Sequence, residues 1–165
     1  MILQRIFSKN NIMMKTFEFR AEQFLPVSID KAWGFFSSPK NLSVITPPSL
    51  DFVVLTETSD EEIYSGMIID YTVRPLFGVP VKWRTEITNV DKPYSFTDRQ
   101  VKGPYTLWEH KHYFVEKNNG VVVIDHVHYR LPFGVIGVIT HSLLVKNKLN
   151  AIFDFRRKTL TEIFG

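Results

Sequence analysis

Residues 106–130, which read TLWEHKHYFVEKNNGVVVIDHVHYR, decide the fold that this sequence predicts. Two alternating segments surround an Asn-Asn-Gly turn at 118–120, a pattern typical of an antiparallel β-hairpin. Because successive side chains of a strand point to opposite faces, Glu109 and Lys111 predict an outer, solvated face. The opposite face is then the inner one, and it carries Trp108, His110, His112 and Phe114.

The return strand over residues 121–130 alternates in the same way. One set of its positions carries His126, His128 and Arg130, which we expect to meet water. The other set holds Asp125 and Tyr129 among valines and is predicted to face inward. So many polar groups on an inner face indicate a binding cavity rather than a plain core.

The register of the hairpin brings two of these polar residues together. Pairing Glu116 with Val121 across the turn places His112 directly opposite Asp125. A carboxylate beside an imidazole commonly orients the ring. We therefore expect His112 and Asp125 to form a hydrogen bond on the inner face.

Composition narrows the class of protein. With 165 residues, 44% hydrophobic and 14% aromatic content, the chain fits one folded domain rather than a disordered segment. It has no cysteine, which excludes disulfides, thiolate metal ligands and cysteine nucleophiles and suits a cytoplasmic location. Two of its 20 basic residues fall within the first 14 positions, leaving 18 basic against 17 acidic residues. That balance predicts no nucleic-acid partner.

Three kinds of segment bear on targeting and on membrane contact. Residues 1–14 are expected to be an N-terminal extension outside the fold, and the domain is expected at 15–165. The extension lacks a long apolar core and a small-residue cleavage site, so it is not expected to be a secretory signal. The most apolar run, 131–145, is interrupted by a proline, two glycines and a histidine and is too short for a transmembrane segment. Apolar loops at 75–80 and 131–135 could form a rim for ligand entry or transient membrane contact.

The remaining segments predict an antiparallel sheet with few helices. A first strand at 16–24 precedes two short helices, one capped by Ser28 and one beginning at Ser38-Pro39. Turn residues separate six further strands at about 51–57, 66–74, 80–90, 94–101, 105–117 and 120–130.

The C-terminal segment, 136–164, carries apolar residues at three- and four-residue steps and predicts one long helix. Six strands before such a helix leave few other ways to bury both surfaces. We therefore predict an α+β fold, a seven-stranded antiparallel sheet wrapped around a long C-terminal helix, with two short helices after strand 1.

Several short segments carry a resemblance to a known family. They are AWGFF at 32–36 with PKNL at 39–42, WRTEI at 83–87, FTDRQ at 96–100, GPY at 103–105, WEHKH at 108–112 and the run 125–134. These segments resemble bacterial SRPBCC-type proteins of the START-like superfamily, and the resemblance covers residues 15–164. It implies the helix-grip fold with a ligand cavity between sheet and C-terminal helix. That superfamily includes plant pollen-allergen proteins, polyketide cyclases and coenzyme Q-binding proteins, so the resemblance is less specific for function.

The alternation of side chains extends the inner face to the neighbouring strands. Solvated Lys82 and Arg84 leave Trp83 inside, and Phe96 fixes the inner face of the next strand. The candidate ligand-binding residues are Tyr71, Trp83, Phe96, Asp98, Gln100, Trp108, His110, His112, Asp125 and Tyr129. They describe a mainly aromatic pocket with a few directing polar groups. The alternative is a polar network that satisfies only itself beneath the helix.

A metal site is a further hypothesis for the inner face. His110 and His112 lie two residues apart on one strand and could share a metal with Glu116 or Asp125 as the carboxylate ligand. The plainer interpretation is a pair of hydrogen-bonding histidines, and no cofactor is expected. His126 and His128 resemble a second metal pair, but they are expected to face water without a function.

The polar inner face and the resemblance together predict a cytoplasmic carrier or sensor of one hydrophobic small molecule, such as a lipid, a quinone or a polyketide-like compound. One alternative is an enzyme of the polyketide cyclase or hydrolase type that uses Asp98 with His110 or His112 as acid and base, without a covalent nucleophile. The other is a protein-interaction module with a vestigial pocket.

Overall fold

Seven strands form one antiparallel sheet in the computed structural model, which describes residues 15–57, 62–74, 78–132 and 144–165. The strands are β1 (Phe17–Leu25), β2 (Val53–Val54), β3 (Ile68–Val73), β4 (Val81–Asp91), β5 (Ser95–Lys102), β6 (Leu107–Lys117) and β7 (Gly120–Arg130). Their order across the sheet is β1-β7-β6-β5-β4-β3-β2. The first strand therefore lies beside the last, and every other neighbour in the sheet is a neighbour in sequence.

The helices lie against the inner face of this sheet. They are α1 (Ile29–Phe36), α2 (Pro39–Val44), a 3-10 helix (Pro48–Leu50) and α3 (Lys146–Phe164). As predicted, the Ser28 hydroxyl caps α1 by accepting a hydrogen bond from the Lys31 backbone N–H, at 3.3 Å. Pro39 begins α2 as predicted, but the Ser38 side chain makes no capping hydrogen bond.

The C-terminal helix is confirmed where the structure describes it. The predicted segment began at residue 136, and α3 with the turn before it accounts for residues 144–164. The earlier part of the prediction falls within 133–143, which lies outside the described residues, as does the expected extension at 1–14. No helix among the described residues is long and apolar enough to cross a membrane.

The β6–β7 hairpin confirms the register that the sequence predicts. Glu116 pairs with Val121, and His112 pairs with Asp125. Both asparagines of the Asn-Asn-Gly turn adopt positive φ, which tight hairpin turns require. The hairpin therefore fixes which side chains of β6 and β7 lie opposite each other at the inner face.

Gly120 at the end of this turn is required by close packing. A Cβ atom added there would lie 2.5 Å from the Leu25 carbonyl oxygen and would also overlap the Phe24 ring. Both neighbours belong to β1, which pairs with β7 along its whole length. The glycine thus lets the first strand approach the hairpin.

The inner face of the sheet and the three helices enclose the core. Phe114, Val121 and Val123 are fully buried beneath Trp33 of α1 and Leu160 of α3. Trp33 meets Phe114 edge-on with ring centroids 5.7 Å apart, a favoured aromatic geometry. The expected inward orientation of the alternating side chains is confirmed for β6 and β7.

Strand β2 is much shorter than its predicted range. Within the described part of that range, only Val53 and Val54 pair with β3. The next two backbone N–H groups, of Leu55 and Thr56, both approach the carbonyl oxygen of Asp70, at 2.8 and 3.3 Å. Because two donors converge on one acceptor, the regular ladder ends there and the edge of the sheet is left short.

Candidate functional site

A cavity of about 420 Å³ lies between the inner face of the sheet and the helices. Strands β3 to β6 provide one wall, and α1, α2 and α3 provide the other. Most of the side chains that line it are aliphatic or aromatic. A void of this size is unusual for a packed core, in which spaces larger than a water molecule are few.

The structure brings most of the predicted site residues to this cavity. Of the ten side chains predicted to bind a ligand, seven line it: Tyr71, Trp83, Phe96, Asp98, Trp108, His110 and His112. The other three, Gln100, Asp125 and Tyr129, lie beside it without lining it.

Gln100 holds a turn instead of facing the cavity. Its side-chain amide donates to the Tyr105 carbonyl at 2.7 Å and accepts from the Tyr105 N–H at 3.3 Å. Gly103 allows this arrangement, because a Cβ atom there would lie 2.7 Å from the Gln100 amide carbon. The side chain therefore braces the connection between β5 and β6.

Tyr129 is fully buried, but it lies in a second core cluster behind the cavity wall. Its ring packs against Phe17, Tyr105 and Trp108 with centroids 5.7 to 6.0 Å apart. Burial raises the pKa of the Tyr129 phenol to about 12. Its inward direction was predicted correctly, but direction alone did not establish contact with the cavity.

Aromatic rings form the wall of the cavity at one end. Trp83 lies at their centre, 5.7 Å from Tyr71, 5.4 Å from Tyr105 and 5.2 Å from Trp108 between ring centroids. Burial, with the nearby Asp98 carboxylate, raises the pKa of Tyr71 well above its ordinary value. The buried indole N–H of Trp83 has no hydrogen-bond partner among the described residues. Tyr105, which the sequence did not single out, belongs to this wall.

Two histidines and two aspartates form the polar end of the site. Strand pairing places Asp98 opposite His110 and Asp125 opposite His112. The imidazole rings lie 3.8 Å apart between centroids, with a carboxylate on each side. His110 Nε2 hydrogen-bonds to Asp125 Oδ1 at 2.8 Å, and His112 Nε2 hydrogen-bonds to Asp98 Oδ2 at 3.1 Å.

The hydrogen bond expected between His112 and Asp125 is therefore wrong in its partner. His112 Nδ1 lies 3.2 Å from Asp125 Oδ1, but it makes no hydrogen bond among the described residues. Asp125 is engaged by His110 instead, because the two imidazole rings are stacked obliquely and His110 presents its Nε2 to the carboxylate.

Burial and neighbouring charges set the protonation of this end of the site. Burial opposes the charged form of His112, but Asp125 and Asp98 outweigh it and raise the pKa of that histidine. Burial and the adjacent His112 lower the pKa of His110. The pKa of Asp125 falls well below its ordinary value despite burial, because Arg156 and both imidazoles favour the carboxylate.

Arg156 is the site residue that sequence reasoning missed. It projects from α3, is only 7% exposed, and donates from Nη1 to Asp125 Oδ1 at 3.0 Å. Its guanidinium also lies 4.6 Å from the centroid of the Phe153 ring. A usable sequence signal was present, since Arg156 interrupts the buried stripe of Leu149, Phe153 and Leu160.

Of the two carboxylates predicted beside the inner histidines, Asp125 contacts both rings and Glu116 contacts neither. Glu116 is exposed at the end of β6, although its side chain has the same parity as those of His110 and His112. Asp98 completes a group with both histidines in which one potential ligand atom from each residue lies within 4.8 Å of the others. The two neighbouring strands, β5 and β7, therefore supply the acids, and β6 supplies only the histidines.

A second such group lies on the outer face of the sheet. It consists of Glu18, His126 and His128, and the His126 Nε2 atom contacts the Glu18 carboxylate. Both histidines are half-buried on the face predicted for them.

Part of one predicted apolar loop lines the cavity. Leu131 and Pro132 line the cavity, together with Lys148 from α3. The segments 75–77 and 133–135 of the two loops lie outside the described residues, so the rim for ligand entry stays a prediction.

Comparison with known proteins identifies the fold. No family model matches the sequence, and no curated protein matches it. Among solved structures, protein Ms6760 from Mycobacterium smegmatis is 17% identical with a TM-score of 0.62, covering 88% of this chain and 92% of that one. Ginseng major latex-like protein 151 from Panax ginseng is 14% identical with a TM-score of 0.65, covering 91% and 98%.

A third similar structure is a norcoclaurine synthase point mutant from Thalictrum flavum, in complex with a transition-state analogue. It is 20% identical with a TM-score of 0.63, and the match covers 92% of this chain and 98% of that one. Such matches establish the helix-grip fold for this chain and confirm the resemblance at the level of the fold.

Proposed function

We propose that this protein binds one hydrophobic small molecule, such as a lipid, a quinone or a polyketide-like compound, as a cytoplasmic carrier or sensor. The cavity is the observation that carries the proposal. Its volume of about 420 Å³ falls within the range of about 300–1,000 Å³ that is typical of ligand pockets. A largely apolar cavity of this size, with a few polar groups in its wall, is typical of small-molecule sites, so an occupant best explains it.

The polar atoms of the wall indicate what the occupant carries. The Asp98 carboxylate lines the cavity and accepts a hydrogen bond from His112 Nε2. A ligand with a hydroxyl group would donate a further hydrogen bond to this carboxylate. The proposed ligand is therefore an oxygenated hydrophobic molecule.

The comparisons support this proposal only by analogy of fold. The norcoclaurine synthase structure contains a small molecule, which illustrates that a protein with this fold can hold one. For the present chain the argument depends on its own cavity.

A cavity-filling substitution tests the proposal. Ile87 is buried and lines the cavity, so Ile87→Phe should reduce the bound ligand without disturbing the surface. Val115→Phe, at an exposed position of β6, is the matched control. Native mass spectrometry of protein purified from its own host should detect a bound small molecule in the wild type and in V115F, but much less in I87F.

Two other results would contradict the carrier proposal. Equal occupancy in I87F and V115F would place the ligand outside the cavity. No bound molecule in any preparation, with no uptake of apolar fluorescent probes, would favour the interaction module with a vestigial pocket.

An enzyme of the cyclase or hydrolase type is the second candidate. The contact of 3.1 Å between His112 Nε2 and Asp98 Oδ2 favours it, because both side chains also line the cavity and could act on a bound substrate. Incubating the extracted host ligand with fresh protein distinguishes the two functions. A carrier returns the ligand unchanged, whereas an enzyme changes its mass or its isomeric form, and Asp98→Asn should abolish that conversion.

A further inference from the structure

We propose that Asp98, His110 and His112 form a binding site for one divalent transition-metal cation, such as Zn²⁺ or Fe²⁺, at the polar end of the cavity. Two imidazoles and one carboxylate are a common ligand set for these ions. All three side chains line the cavity, and both histidines are only 6% exposed.

The distances among the ligand atoms suit such an ion. Asp98 Oδ2 lies 3.1 Å from His112 Nε2 and 3.7 Å from His110 Nδ1. Metal–ligand bonds of about 2.0–2.2 Å keep neighbouring ligand atoms roughly 3–3.5 Å apart. Small rotations of the side chains would therefore bring all three atoms to bonding distance.

One carboxylate lies on the opposite side of both rings from Asp98, hydrogen-bonded to His110 and close to His112. A histidine that binds a metal usually donates its other N–H to a carboxylate, which fixes the tautomer and the ring orientation. Asp125 Oδ1 lies 2.8 Å from His110 Nε2 and 3.2 Å from His112 Nδ1. One carboxylate can thus serve both rings and leave their other nitrogens directed at Asp98.

Arg156 holds the Asp125 carboxylate in place and compensates its negative charge. Its guanidinium bonds to Asp125 Oδ1 at 3.0 Å and compensates that negative charge. The half-buried Asp98 carboxylate has no guanidinium or ammonium group within 4.0 Å among the described residues. A divalent cation would compensate Asp98, and it would orient His112 so that the unpartnered Nδ1 donates toward Asp125.

The proposed metal site could also contact the hydrophobic ligand in the cavity. Because the three protein ligands line the cavity, further coordination positions would be open toward it. An oxygen atom of the hydrophobic ligand could bind there, and this step alone rests on the proposed function. Metal binding is tested without any such ligand, so the two proposals can fail separately.

The outer group of Glu18, His126 and His128 needs to be removed in the test, because it could bind added metal by itself. It is a poorer site, since Arg20 and Lys111 lie directly opposite His126 on the two neighbouring strands. The double variant H126Q/H128Q eliminates it without touching the cavity and serves as the parent for all measurements.

Titration of this parent with Co²⁺ and Zn²⁺ is the decisive experiment. We expect calorimetry to show one ion bound per chain. Bound Co²⁺ should give visible absorption bands, and these should disappear when Zn²⁺ displaces it.

Asp98→Asn in the same parent should weaken metal binding at least tenfold. Asp125→Asn, which removes the positioning carboxylate and leaves the Arg156 charge uncompensated, should weaken it about tenfold to hundredfold and shift the Co²⁺ bands. Absence of binding to the parent, or equal affinity in the parent and D98N, would overturn the proposal.

A measurement on the parent alone covers the case in which these variants do not fold. Its remaining histidines are His110, His112 and His141. Long-range ¹H–¹⁵N spectra with Zn²⁺ should show metal on Nδ1 of His110 and on Nε2 of His112, with the other nitrogen of each ring protonated. Unchanged imidazole signals from both residues at saturating Zn²⁺ would refute the site.

Discussion

Asp125 and Arg156 form the most deeply buried ion pair among the described residues, and each depends on the other. Their side chains are only 7% and 8% exposed, and the Arg156 guanidinium is one of three cationic or imidazole groups within 3.2 Å of Asp125. Removing one member of a buried ion pair leaves the other charge uncompensated in a poorly solvated place. The pair therefore links α3 to β7 at the floor of the polar site.

Arg156→Met should lower the free energy of unfolding by about 3–5 kcal/mol at neutral pH, because Asp125 would remain buried without its guanidinium partner. Urea denaturation measures the effect. The double variant R156M/D125N should recover part of the loss, since it removes both charges. Arg157→Met, at the exposed neighbouring position, should change stability little. Equal losses in R156M and R157M would show that the buried pair does not support the fold.

At the scale of the elements, Glu62 joins α1 to the turn between β4 and β5. Its carboxylate accepts from the Trp33 indole N–H and from Lys92 Nζ, the latter at 2.8 Å. The Ile63 backbone N–H also bonds to the Ser37 carbonyl at the end of α1, at 2.9 Å. The hydrogen bond from Lys92, opposed by burial and assisted by Trp33, lowers the pKa of Glu62.

This lowered pKa predicts a loss of stability in acid. A carboxylate whose pKa is lower in the folded state stabilises the fold above its unfolded pKa, and the contribution disappears as pH falls through the folded pKa. Glu62→Gln should therefore reduce stability at pH 7, and the difference from the wild type should shrink as pH falls below about 4.3. The loss should be modest, because the Glu62 side chain is 41% exposed.

Thermal denaturation across this pH range measures the difference between the two proteins. Glu116→Gln, at an exposed position of β6, is the control and should follow the wild type at every pH. A difference between E62Q and the wild type that stays constant into acid would contradict an ionic role for Glu62.

The hairpin shows which features of the elements the sequence can predict. Alternation and the Asn-Asn-Gly turn predicted both the register and the inner face of β6 and β7, because side-chain direction follows from strand geometry alone. The same parity wrongly grouped Glu116 with the inner histidines, since alternation does not say where along a strand the cover of the helices ends. Asp98 was predicted to face inward and to act with His110 or His112, but parity could not choose between them. Strand pairing places Asp98 opposite His110, and its hydrogen bond is to the diagonal neighbour His112.

Arg156 illustrates a different limit. The apolar stripe predicted the C-terminal helix, but the rotation of that helix over the sheet decides which of its side chains reaches β7. That rotation follows from packing between residues that are distant in sequence. The stripe places Arg156 on the buried side of α3, but its partner became evident only when α3 was seen against Asp125.

At the scale of the whole molecule, the proposed ligand would stabilise the fold from within the cavity. Seven of the ten residues predicted to bind a ligand line the cavity. The existence and volume of the cavity could not be predicted, because they depend on the distance at which the helices pack over the sheet.

Removing the natural ligand should therefore destabilise the entire domain. A ligand that binds only the folded state adds about 2.7 kcal/mol to the unfolding free energy when its concentration is 100 times Kd. We expect protein stripped of ligand by organic extraction and refolding to unfold at lower urea concentration, and the original midpoint to return when the extract is added back. In I87F, where the cavity is filled, the midpoint should respond much less to the extract, while V115F should respond like the wild type. A midpoint that is the same with and without the extract in the wild type would mean that the cavity does not bind the extracted molecule.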